Sequence, residues 1–230
     1  MLKRLFAPAL LAGLLLTLVA CRSTAVTPPP AAAARPVEPP NLSLLKQELK
    51  TYLDDGRYEA GLAAVAAEAR TWVEQRAPRG DGPLAIVFDI DETILSNLAH
   101  MREMDFGYVP ALWDRWVELA DATPILPVVE VFRAARRHGV AVFFITGRKT
   151  TDARGTIENL RRTGLDDYAE LHLKPADFPG PTQAFKTETR RQIAAQGYTI
   201  IANLGDQHSD LDGGYAERTF KLPNPFYLTK

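Results

Sequence analysis

The chain has 230 residues, 46% hydrophobic and 24% charged, enough apolar material for one ordinary domain with a real core. Its 27 basic and 28 acidic side chains leave a formal net charge of -1, which removes the electrostatic case for a nucleic-acid polymer or an anionic membrane surface as partner. The single cysteine, Cys21, excludes an intramolecular disulfide and a cysteine-based zinc site.

In chain order, Lys3 and Arg4 precede an apolar run over residues 5–19. The run is too short to span a bilayer and is followed by small residues, so residues 1–20 are expected to be a removed signal peptide. It closes on Leu18-Val19-Ala20-Cys21, which resembles the lipobox of bacterial lipoproteins and implies lipidation of Cys21. Residues 21–41 are rich in Pro and Ala and read as an extended tether between lipid and folded domain. Arg22 follows the cysteine where an Asp would signal retention. By resemblance to enterobacterial sorting this favours a lipid-anchored protein of the bacterial cell envelope, held at the outer membrane.

The folded domain is expected over residues 42–230. Leu45, Leu49, Tyr52 and Leu53 recur at helical spacing, as do Leu62, Val65, Ala69, Trp72 and Val73, with Gly56 as the stop between them. Residues 84–88 form a short continuous apolar run after Gly82-Pro83, which suits a strand buried on both faces. Residues 97–124 carry Met101, Met104, Phe106, Tyr108, Trp113 and Trp116 and read as an insertion, helical after Pro110. The pattern then predicts a helix over 127–137, a strand over 140–145, a helix over 151–162 and a short strand over 170–173. A helix over 185–196, a strand over 198–202 and an extended piece over 219–222 complete it. Buried strands alternating with helices of about a dozen residues predict an α/β fold: a doubly wound parallel sheet with helices on both faces.

Polar residues stop three of these strands: Asp89, Thr146 and Asp206. In a doubly wound sheet, ligands bind beyond the carboxyl ends of the strands, so the three are expected to share one rim. Asp89 and Asp91 sit two apart in Asp89-Ile90-Asp91-Glu92-Thr93, and an extended backbone points both carboxylates to one side. Alone, the pair serves equally to cap a turn or to converge on a ligand. Thr146-Gly147 adds a hydroxyl and an unobstructed N–H suited to phosphate oxygens, Lys186 adds a positive charge, and Gly205-Asp206-Gln207-His208-Ser209-Asp210 adds two carboxylates. Lys174 also follows a strand and competes for the role of Lys186; Arg148 reads either as a substrate contact or as solvated. His100, His138 and His172 read as surface or packing residues. The aromatic residues of the insertion serve equally to line a pocket or to pack it on the body.

Taken together over about residues 84–211, these motifs resemble those of the haloacid dehalogenase (HAD) superfamily. Within it they resemble the class B/C acid phosphatases, a group that includes plant vegetative-storage-type enzymes and bacterial surface lipoproteins. His208 stands where a Trp is common in these relatives, which touches the pocket wall and not the chemistry. The resemblance implies a HAD-like sheet with a small, largely helical cap, and an acid phosphatase that hydrolyses phosphate monoesters through an aspartyl-phosphate. It implies Asp89 as nucleophile, Asp91 as general acid and base, and Thr146, Gly147 and Lys186 as phosphate-binding. Mg2+ is implied on the side chains of Asp89 and Asp206 and the backbone carbonyl of Asp91, with Asp210 behind them orienting a water or Lys186. The cap aromatics add nucleoside monophosphates as an expected substrate class. Two rivals share the fold: a non-catalytic binding or storage-type lipoprotein, which loss of the nucleophile would mark, and a phosphotransferase. Asp89 is intact, and activated phosphate donors are scarce outside the cytoplasm.

Overall fold

Residues 38–79 and 82–229 are described by the computed structural model. The signal segment, Cys21 and nearly all of the tether lie outside them. Asn41 opens α1 (Leu42–Asp54) with a side-chain oxygen that accepts from the N–H groups of Ser43 and Leu44, donors that a first helical turn leaves free. Gly56, at φ +80, turns the chain between α1 and α2 (Arg57–Arg76), a left-handed conformation that costs little only without a Cβ.

β1 (Leu84–Phe88) is buried along its whole length. The insertion follows as β2 (Leu95–Ser96), α3 (Leu98–Glu103), α4 (Pro110–Leu119) and β3 (Thr123–Pro124). Then come α5 (Leu126–Arg137), β4 (Ala141–Lys149), α6 (Ala153–Arg162), β5 (Glu170–Lys174), α7 (Thr182–Ala195), β6 (Thr199–Gly205), α8 (His208–Leu211) and β7 (Thr219–Lys221). The main sheet has the order β5-β4-β1-β6-β7, and every pairing in it is parallel. Side-chain alternation divides β1 between two cores. Ile86 and Phe88 join residues of α2 and α5 on one face, while Ala85 and Val87 join Phe185 and Ile193 of α7 on the other. This is the doubly wound α/β arrangement expected from the pattern. No helix among the described residues is long and apolar enough to cross a membrane.

The chain builds β4 and β5 on one side of β1, then crosses back to build β6 and β7 on the other. The reversal opens a crevice at the carboxyl ends of β1 and β6, where parallel sheets hold their ligands.

The cap differs in detail from its expectation. It contains α3 before Pro110, and β2 and β3 pair antiparallel through Leu95↔Pro124 and Ser96↔Thr123. That ladder brings the two ends of the insertion to one neck. Neither element is long enough to show a periodicity. α6 meets α4 backbone to backbone: a Cβ on Gly155 would lie 2.1 Å from the Val117 carbonyl oxygen, so only glycine permits this approach. β4 runs on past Ile145 to Lys149, with irregular pairing to β5 between Thr146 and Lys149. α7 begins at Thr182, directly after Pro181, because Pro suits a helix entry whatever the apolar spacing downstream.

Candidate active site

The loop after β1 is tight. The Ile90 carbonyl accepts from the N–H groups of Thr93, Ile94 and Leu95 at 3.3, 3.0 and 2.9 Å, and Glu92 makes the turn at φ +52. Backbone in this region is uncommon for a residue with a Cβ, so something must hold Glu92. Its buried carboxylate accepts from Asn97 N at 2.6 Å, from Asn97 Nδ2 at 3.1 Å and from the Tyr227 hydroxyl at 2.9 Å. Burial, then the charge of Asp91, pushes the Glu92 carboxyl up to about 7. The loop so fixed turns Asp89 and Asp91 toward one cavity of about 500 Å³.

Asp89, at the floor of that cavity, donates its N–H to the Leu204 carbonyl at 3.0 Å, which ties the end of β1 to β6. Lys186 reaches up from α7 and donates to Asp89 Oδ1 and, at 2.7 Å, to Asp210 Oδ1. All three side chains are buried. Burial pushes Asp89 well above the usual carboxylate range, Lys186 opposes that shift, and Asp210 and Asp206 add to it. Burial alone would lower the ammonium of Lys186, yet Asp210 and Asp89 hold it above its ordinary value.

Asp206 follows β6. Its carboxylate accepts from Gln207 Nε2 at 2.7 Å and from Asn224 Nδ2, and the Thr93 hydroxyl lies 3.3 Å from Oδ1. Burial, with Asp210 next, pushes Asp206 up to about 7. Asp210 is brought under it by a close turn: a Cβ on Gly205 would lie 2.3 Å from the Asp210 Cβ, so glycine is required there. Asp210 Oδ2 then accepts from Gln207 N at 2.8 Å.

Asp89, Asp206 and Asp210 each offer an oxygen within 4.8 Å of the others, all buried. Among the described residues, Lys186 is the one ammonium or guanidinium group paired with these carboxylates; neutral amides serve Asp206. Three carboxylates against one lysine leave an excess of buried negative charge, which a cation relieves. Oxygen donors with no His or Cys suit a hard divalent ion. The residues therefore fit a metal. The side-chain cluster includes Asp210, which the sequence reading placed behind the ligands; the side chain of Asp91 is engaged elsewhere, by Arg148 at 2.7 Å.

Gly147 lines the cavity, while Thr146 lies fully buried beside it with its hydroxyl accepting from Arg148 N at 3.0 Å. Lys174 donates to the Thr182 hydroxyl at 3.2 Å and does not line the cavity, so Lys186 alone takes the position at the carboxylates. His208 is exposed and Gln207 lines the wall in its stead. His100, read as surface or packing, is buried, stacks on Trp116 at 5.4 Å and faces the cavity. The cap aromatics divide their roles. Phe106, Tyr108 and Trp113 line the cavity, whereas the indole N–H of Trp116 donates to Asn97 Oδ1 at 2.8 Å.

Sequence reasoning missed the C-terminal tail. Phe226, Tyr227, Leu228 and Thr229 line the cavity, Phe226 stacks on Phe106 at 6.0 Å, and Asn224 and Tyr227 bond Asp206 and Glu92. The only advance signal was an aromatic pair after Asn224-Pro225, which has no periodicity to read.

The chain is similar in sequence and in fold to known phosphatases. The profile of the family described as HAD superfamily, subfamily IIIB (acid phosphatase) matches residues 12–230. Acid phosphatase 1 of Solanum lycopersicum is 33% identical over 184 residues, covering 78% of this chain and 72% of that protein. Vegetative storage protein 1 of Arabidopsis thaliana is 28% identical over 196 residues, covering 81% and 73%. The class C acid phosphatase from Bacillus anthracis superposes with a TM-score of 0.67 at 25% identity, covering 81% of this chain and 87% of that chain.

A cation held by the carboxylate cluster should stabilise the native state, by roughly 2.7 kcal/mol at a hundredfold excess over Kd. Thermal melts of chelator-treated protein are expected to shift upward on adding a hard divalent ion, and the shift should vanish in Asp206→Asn. A shift of equal size in that variant places the ion elsewhere.

Proposed function

The chain belongs to the HAD superfamily, subfamily IIIB acid phosphatases, and is a phosphomonoesterase; from that premise we propose that it hydrolyses phosphate monoesters through a phosphoryl group carried transiently on Asp89. The observation behind this reading is the buried Asp89–Lys186–Asp210 chain with Asp206 beside it, set at the floor of a cavity whose wall carries Asp91.

The substrate phosphate enters with Lys186 and the N–H of Gly147 offering positive charge and a donor. An Asp89 oxygen attacks phosphorus, a P–O bond to Asp89 forms, and the bond to the leaving oxygen breaks. Asp91 delivers a proton to that oxygen, so an alcohol departs. A water then attacks the same phosphorus. Asp91 takes the proton of this water, the P–O bond to Asp89 breaks, and inorganic phosphate leaves with both aspartates restored. Mg2+ on Asp89, Asp206 and the Asp91 backbone carbonyl, with Asp210 adjoining, would neutralise charge on the transferring phosphoryl group.

Selection of the leaving group falls to the upper wall. Phe106, Tyr108 and Trp113 stand on the cap side of the cavity and Phe226 and Tyr227 on the tail side, an arrangement suited to a flat aromatic group. We assign nucleoside monophosphates as the preferred class, since stacking on one ring contributes roughly 1–3 kcal/mol. The lipobox-like Leu18 to Cys21 and the Pro/Ala tether support a lipid anchor in the cell envelope for this activity, and Arg22 behind the cysteine supports the outer membrane.

Asp89→Asn is expected to abolish turnover while keeping the fold, and activity equal to wild type in the folded variant would sink the covalent route. Asp91→Asn should lower kcat/KM for alkyl phosphates on the order of a hundredfold, and much less for p-nitrophenyl phosphate, whose leaving group departs without a proton. For specificity, kcat/KM should favour a nucleoside monophosphate over a sugar phosphate by about tenfold, and Trp113→Ala should erase the margin; no margin in wild type refutes the aromatic subsite. Cys21→Ser should leave the membrane fraction or accumulate as precursor, and unchanged fractionation and processing would rule out lipidation.

A further inference from the structure

Arg148 sits one residue past Thr146-Gly147 at a strand end, where an arginine ordinarily reaches for solvent. Its side chain is instead only 1% exposed. The Nε lies 3.1 Å from both carboxylate oxygens of Asp91, and Nη2 lies 2.7 Å from Oδ1. Nη1 donates to the Thr156 hydroxyl of α6 at 3.2 Å, and that hydroxyl donates in turn to the Asp152 carbonyl at 2.9 Å. The Trp113 ring centre is 5.8 Å from the guanidinium carbon. The guanidinium is therefore held from several sides, by the body of the protein and by the cap.

A second group holds the same carboxylate. Asn97 Nδ2 donates to Asp91 Oδ1 at 2.9 Å, and the Trp116 indole fixes Asn97 in turn. Oδ1 thus accepts from Nε and Nη2 of Arg148 and from Asn97, while among the described residues Oδ2 accepts from Nε alone. One oxygen is saturated and the other retains capacity to exchange a proton.

Burying a guanidinium is costly and contributes little net stability even when paired, so its use here calls for a geometric account. A carboxylate that passes protons to and from the reacting oxygens must present one oxygen at hydrogen-bond distance, and misplacement by about 1 Å can cost a hundredfold. Rotation about the side-chain bonds of Asp91 would allow that error. A planar guanidinium fork sets the plane of a carboxylate in a way that a lysine ammonium, a point charge, cannot.

We propose that Arg148 is a positioning residue for the reaction: it fixes the plane of the Asp91 carboxylate, occupies Oδ1, and leaves Oδ2 as the oxygen that gives and takes protons. The proposal rests on Asp91 being the acid–base group.

The test measures kcat/KM, which reports only steps through formation of the phosphoryl enzyme, on p-nitrophenyl phosphate and on an alkyl phosphate. Full-length wild type, Arg148→Ala, Arg148→Lys, Asp91→Asn and Asp91→Asn/Arg148→Ala are compared. Arg148→Ala is expected to lose tenfold or more on the alkyl ester and less than about threefold on the aryl ester. Added guanidinium ion should recover part of the loss, and the double variant should fall no lower than Asp91→Asn. Equal loss on both esters, or further loss in the Asp91→Asn background, overturns the proposal. Should Arg148→Ala fail to fold by circular dichroism, Arg148→Lys keeps charge and bulk and is expected to show the same ester-dependent loss. Wild-type values in that variant overturn the proposal as well. Asp91→Asn separates the two layers: without ester dependence there, the acid–base reading of Asp91 falls and takes the proposal with it. Ester dependence in Asp91→Asn without any in the Arg148 variants sinks the positioning role alone.

Discussion

Negative charge gathered in a low-dielectric crevice is the constraint on which the rest of this molecule turns. Asp89, Asp206 and Asp210 converge behind the ends of β1 and β6, where like charges repel and water cannot screen them. Lys186 answers two of the three, and breaking such a buried pair by removing one partner costs about 3–5 kcal/mol. The surroundings are arranged accordingly. Gly205 opens the space that Asp210 fills. Arg190, fully buried, supports the adjoining turn through the carbonyls of Asp210, Asp212 and Gly214. The imbalance that remains suits the site to a cation, which under the proposed mechanism would be held against a phosphate.

Above that floor the chemistry is divided between layers. Under the proposed mechanism the strand ends and α7 supply the groups that meet phosphate, and the cap and the C-terminal tail, which line the rest of the cavity, supply those that meet whatever the phosphate is attached to. The two layers are joined at the loop after β1. Asn97 ties Trp116 of the cap to both Asp91 and Glu92, and Tyr227 of the tail closes on Glu92 from the other side. Glu92, in left-handed backbone and buried, is therefore the knot between cap, tail and catalytic loop. Local strain of this kind persists only where its surroundings over-determine it, and three hydrogen bonds from Asn97 and Tyr227 provide that here.

A surface-tethered storage protein could keep this sheet without the rest. What distinguishes the present chain is that its costly features are all retained together: the buried carboxylates, the buried lysine opposite them and the glycine that admits Asp210. A fold maintained for packing alone gains nothing from unscreened charge, and apolar residues of the same volume would be as stable or more so.

Much of this was legible in the chain itself. The five parallel strands and the helices between them followed from runs such as residues 84–88, and the polar stops Asp89 and Asp206 marked one rim, because burial and strand termination are written in consecutive residues. The short α3, the β2–β3 neck and the early start of α7 were not legible, since elements of a few residues carry no period. Arg148 was the clearest undecided case: its partner Asp91 lies 57 residues away, and the sequence allowed solvent or substrate equally. The cap aromatics were likewise settled only in space, with Trp113 on the cavity and Trp116 on Asn97, and the tail offered no more than an aromatic pair after Asn224-Pro225. The sequence by itself determined the layers, the order of the strands' polar ends and the residue types able to hold phosphate and metal. Tertiary structure alone decided which charge answers which, because pairing depends on distances between segments that local pattern does not encode.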